Sequence, residues 1–127
     1  MPGPGEGFPS QENNNEKLAA LIEMEREFGF VETEKMIGIR NKFVNEPSSR
    51  KELYNEWTIL AELEIEEIKD HVKGREALLG MHLGQARMLL SAGLSDHFNE
   101  MIQEEIDCIS VSYPEEIILR LRAMKVQ

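Results

Sequence analysis

The chain has a single cysteine, a single tryptophan and only 6% aromatic residues. Cys108 has no partner for an internal disulfide, which excludes a cysteine-stapled fold. Few aromatics make a poor sheet, because strands favour aromatic and β-branched side chains. Basic residues are also scarce. Fourteen Lys and Arg stand against 24 Asp and Glu, a net charge of -10. A general nucleic-acid binder needs cations to neutralise phosphates, so direct nucleic-acid binding is not expected. Docking to anionic lipid is disfavoured for the same reason. No apolar run approaches the length of a membrane span, and no charged and apolar leader opens the chain. A reducing, cytoplasmic compartment is expected.

What is abundant points to helices. Leu, Ile, Met, Glu and Lys are good helix formers, and 30% of the chain is charged. The 127 residues suffice for one domain with a modest core. Residues 1–14, MPGPGEGFPSQENN, hold three prolines, three glycines and one large apolar residue, Phe8. Such a segment buries too little to offset its ordering entropy and is expected to be a disordered tail. Residues 15–127 are expected to form a single α-helical domain.

The spacing predicts an all-α fold of four or five helices. The first runs from about Asn15 to Phe28, capped by Asn14 or Asn15 and stopped by Gly29. The second covers about Glu32 to Val44. NEPSS at residues 45–49 breaks it, and Ser48 or Ser49 can cap the next helix. From Ser49 to Ala92 one long central helix is expected. Trp57, Leu60, Ala61, Ile68, Val72, Leu79, Leu83, Ala86 and Leu90 fall on one broad stripe of it. Unbroken, it would be about 65 Å long. A kink or break at Gly74 or Gly80 is the alternative. SAGLS at residues 91–95 ends it, and a further helix spans about Ser95 to Val111. In SYPE, Ser112 and Glu115 have the spacing of a capping box with Pro114 in the first turn, and the closing helix runs to about Lys125.

The central stripe is wider than short neighbouring helices need to cover. A homodimer or higher oligomer is therefore expected to complete the bundle, with Trp57, Leu60, Ile68, Val72, Leu79, Leu83 and Leu90 as its shared core.

The acids divide by direction. Glu62, Glu66 and Asp70 form an i, i+4, i+8 row opposite Trp57 and face water. Glu100, Glu104 and Asp107 point outward on the next helix. Glu64 falls inside the apolar stripe, with Glu67 and His71 on its flank. Glu105 likewise sits where a hydrophobe is expected, with Cys108 beside it. An inward carboxylate must be paired, protonated or bound to a cation. Ion pairing at a helix rim, with Arg75 or a histidine, is the plain reading. Glu64, Glu67, His71 and Glu105 around Mg²⁺ or Mn²⁺ are the sharper one, because carboxylates from facing helices suit hard cations.

ELEIEE and the later QEEIDC together resemble the MazG-like nucleotide pyrophosphohydrolases. Those enzymes use a Glu-x-x-Glu pair on one helix and a Glu-x-x-Asp pair on a later one. The resemblance implies Mg²⁺ held by Glu64 and Glu67 with Glu104 and Asp107, set against a nucleoside triphosphate. The chain departs from the pattern in two ways. Glu104 and Asp107 point outward, while the inward start at Glu105 puts Cys108 where Asp should stand. The two pairs are also further apart than that family usually has them. No His follows a Glu by three, which disfavours a ferritin-like di-iron site. GMHLG at residues 80–84 lacks the lysine and preceding strand of a phosphate loop.

The expectation is thus a non-catalytic, acidic helical interaction protein: an adaptor, a regulator or inhibitor, or an assembly subunit. It needs no cofactor. It meets itself and a protein with a basic surface through Glu62, Glu66, Asp70, Glu100, Glu104 and Asp107. The alternative is the Mg-dependent pyrophosphohydrolase.

Overall fold

The computed structural model describes residues 11–126, and all its regular structure is helical. The expected tail at residues 1–10 lies outside the described residues. Six α-helices follow in order: α1 Gln11–Glu27, α2 Glu34–Asn45, α3 Arg50–Glu66, α4 His71–Ser91, α5 Ser95–Ile109 and α6 Glu115–Met124. A single 3-10 turn over Pro47–Ser49 precedes α3. Residues 11–14, expected in the tail, belong to α1. Gln and Glu at their start are good helix formers, so the helix runs past the asparagines placed as its cap.

The largest difference from expectation is the central helix. It is two helices, and the break lies at neither glycine. α3 ends at Glu66, and Glu67 closes it by donating its N–H to Glu64 and Ile65. Asp70 then opens α4: its backbone is extended, and its carboxylate accepts the N–H groups of Val72 and Lys73 at 2.9 and 3.0 Å. A helix leaves its first N–H groups without internal partners, and an aspartate at this position satisfies them.

α4 is the central helix. Its two faces belong to two different cores. On one side Leu79, Leu83, Ala86 and Leu90 pack with Leu21, Met24 and Phe28 of the α1 region, Phe98, Ile102 and Ile106 of α5, and Ile118 and Leu121 of α6. On the other, Met81 and Met88 pack with Met36, Ile39 and Phe43 of α2, Leu53, Trp57 and Ala61 of α3, and Phe30. Trp57, Leu79, Leu83 and Leu90, expected in a shared subunit core, are thus covered by the chain's own helices. Leu60 and Ile68 are half-buried. Val72 is 58% exposed, because the break rotates it off the face that carried Trp57.

Close packing around α4 depends on two glycines one turn apart. A Cβ at Gly80 would stand 2.6 Å from the Phe30 Cβ, and one at Gly84 would stand 2.7 Å from the Trp57 ring. GMHLG is therefore a seat for two aromatic residues inside an unbroken helix.

The helix ends behave as the glycine signals suggest. Gly29 and Gly93 take positive φ angles of 81° and 79° just past α1 and α4. Thr33 caps α2, accepting the Met36 N–H. The expected capping box at Ser112 does not form. Pro114 precedes α6 and no side chain caps it. Ser49 likewise precedes α3 without a side-chain cap.

Candidate functional site

The inward acids separate. Glu105 is 8% exposed on α5, amid Phe98, Ile102 and Ile109, as its position in the stripe predicts. Its partner is His82 of α4, whose Nδ1 meets Oε1. Glu64 is exposed, although it shares Trp57's face of α3. Ala61 is the last buried residue of that helix, so the face has run out of neighbours by Glu64. Glu67 and His71 lie on either side of the break and are exposed too. The structure does not bring Glu64, Glu67, His71 and Glu105 together. Among the described residues no group of three His, Cys, Asp or Glu side chains is arranged to hold a metal ion.

The outward row is also rearranged. Glu62 and Glu66 stay exposed on α3, but Asp70 is occupied as the cap of α4. Those two backbone N–H groups, Lys73's above all, hold its carboxyl below the usual aspartate range. Asp107 is exposed and accepts a hydrogen bond from Gln103 at 2.9 Å.

Glu100 and Glu104 are the expected contact residues that the fold places beside something else of use. They form one wall of a groove of about 480 Å³ between α3 and α5. Phe43, Leu89, Leu94 and Met101 give it an apolar floor, and Tyr54 with Lys51 forms the opposite wall. Arg50 lines the groove too, but its guanidinium is turned to α2. It donates to the Phe43 and Val44 carbonyls at 2.9 and 3.0 Å and lies over the Phe43 ring. That is a favourable place for a cation, at the negative end of α2. Among the described residues, no ion pair engages Glu100 or Glu104. Burial pushes the Tyr54 phenol above its usual range, and the charge of Glu104 adds to this. The groove therefore joins an apolar floor to two carboxylates on its α5 wall that no ion pair engages.

The charged cluster that sequence reasoning missed is central. Arg87 of α4 donates to both oxygens of Glu25 in α1, at 2.7 and 3.0 Å, and to Glu32 at 2.8 Å. Glu32, in the α1–α2 connection, also accepts from Arg40 of α2 at 3.0 Å and from the Trp57 indole at 2.8 Å. Burial pushes the Glu25 carboxyl above its usual range, more than Arg87 offsets. Burial pushes Glu32 up as well, but Arg87's charge and the hydrogen bonds from Arg87, Trp57 and Arg40 hold it below that range. Arg87 is kept firmly protonated; its burial is outweighed by Glu25 and Glu32. The signal was available: Leu21, Met24, Glu25 and Phe28 follow helical spacing, so Glu25 occupies an apolar position. Glu25, Glu32, Arg40 and Arg87 also line a small cleft of about 220 Å³. The cluster locks the α1–α2 connection to α2, α3 and α4.

No helix among the described residues is long and apolar enough to cross a membrane. The chain matches no known protein family, no curated protein and no solved structure.

Proposed function

We propose that this chain is a non-catalytic interaction protein, an adaptor, regulator or assembly subunit, that docks a segment of another protein in the α3–α5 groove. The observation that carries the reading is the meeting of Glu100 and Glu104 with the apolar floor of Phe43, Leu89 and Leu94. An amphipathic helix offers what such a groove takes. Its apolar face fills the floor and its Lys or Arg edge meets the α5 wall. Asp96 is exposed one turn earlier on α5, where His97 lines the groove. The net charge of -10 steers a cationic partner toward the molecule. Self-association belongs to the same reading, through the exposed apolar residues of α3.

The test uses two synthetic helical peptides of equal length, one of leucine and lysine, the other of leucine and glutamate. Titrated into the labelled protein, the first is expected to shift amide signals around residues 50–54 and 97–104, and the second is not. Adding salt weakens the binding. Replacing Glu100 and Glu104 together by Lys lowers the affinity about tenfold or more, with helical content unchanged. Equal binding of both peptides, or full binding by the charge-reversed variant, would refute the docking site.

A further inference from the structure

A second cleft lies between the first half of α4 and the end of α5, beneath the turn that carries Tyr113. Its volume is about 530 Å³. That is the size of a small-molecule site. Leu79, Ile109 and the Tyr113 ring form apolar walls, and Arg75 stands on the rim. The His82–Glu105 pair lies within it.

Glu105 is the unusual member. A carboxylate at a core position costs free energy unless its oxygens are satisfied. His82 stands against one of them, its Nδ1 meeting Oε1. Oε2 accepts no hydrogen bond from any described residue, yet the residue is only 8% exposed. Its remaining acceptor capacity opens on the cleft. The surrounding charge is negative. Glu76 and Glu105 line the space with Arg75 and His82, in a chain of net charge -10. The Tyr113 phenol registers this: burial raises it above its usual range, and Glu76 and Glu105 raise it further against Arg75.

We propose that this cleft binds a small organic ammonium ion on an apolar body. The ammonium donates to Oε2 of Glu105, and its chain lies between Leu79, Ile109 and Tyr113. His82 is a positioning residue, holding the carboxylate in place through Oε1. A carboxylate ligand would face Glu105 and Glu76, and a neutral alcohol would leave the charge of Glu105 unmatched.

The probes are hexylamine, 1-hexanol and hexanoate, titrated into the full chain by calorimetry and by amide chemical shifts. Hexylammonium is expected to bind saturably and to shift the signals of Leu79, His82, Glu105 and Ile109. Hexanol should bind at least about tenfold more weakly, and hexanoate not measurably. Glu105→Gln keeps the size of the side chain and should lose the preference for amine over alcohol. Arg75 is exposed, so Arg75→Gln tests the charge without disturbing the core, and it should strengthen amine binding several-fold. Three probes that bind alike would overturn the proposal. So would no saturation by hexylamine, or an Arg75→Gln protein that binds amine no better than the parent.

Discussion

A single arginine shows how much depends on one side chain here. Arg87 is 6% exposed and holds two carboxylates that are themselves largely buried. Breaking a buried pair strands the remaining charge, which costs about 3–5 kcal/mol. Arg87→Met strands Glu25 and leaves Glu32 to Arg40 and Trp57, and a urea melt should register a loss of that size. The same cluster sets a pH dependence. Glu32 has its folded pKa depressed, so it adds stability above the ordinary value of 4.5 and loses it as pH falls through the folded value. Glu25, raised by burial, runs the other way, and its protonation favours the folded state. Glu32→Gln should therefore lower stability at neutral pH, and the gap to the parent should narrow well below pH 4.5. Paired urea melts at the two pH values check this. A constant gap would mean that Glu32 contributes no charge-dependent stability.

At the scale of elements, glycine has two opposite uses, and packing separates them. Gly38 lies in α2 with nothing within 4 Å of an added Cβ, whereas Gly84 lies under the Trp57 ring. Gly38→Ala removes only backbone freedom and should stabilise by about 0.5–1 kcal/mol. Gly84→Ala overpacks a buried indole and should cost about 1–3 kcal/mol. Thermal melts of the two variants should move in opposite directions. From the sequence both glycines look like tolerated helix residues, because periodicity does not show what stands opposite. The same blindness explains the central helix. The stripe from Trp57 to Leu90 continues in phase, and Asp70 reads as one more outward acid. Only the fold shows its carboxylate turned back onto the Val72 and Lys73 N–H groups. Glu105 was legible because Ile102, three residues before it, and Ile109, four after it, are core residues. Glu64 had the same spacing but lay past the last buried turn of α3. His82 opposite Glu105 depends on how α4 meets α5, and spacing along one helix carries no such information.

For the whole molecule, two cores share α4, and each is closed by the chain's own helices. The stripe that made an oligomer necessary is thereby used up, so self-association must draw on what is left outside. Ile59 and Leu63 stand one turn apart on α3, 57% and 53% exposed, bordered by Glu62 and Glu66. Two such helices meeting face to face bury four aliphatic side chains and bring acidic surfaces together. Burial favours that contact and the net charge opposes it. Salt screens the charge over roughly 10 Å at 0.1 M while leaving apolar burial intact. Light scattering should therefore give a mass that rises toward twice that of the chain as salt and concentration increase. Replacing Ile59 and Leu63 by Glu should hold the protein at the mass of one chain throughout. Peptide docking behaves oppositely, because attraction between a cationic segment and the α5 wall fades as salt is added. One salt series thus separates the two surfaces: tighter self-association with looser peptide binding fits both, and a mass of one chain at every salt concentration removes the dimer while leaving the groove standing.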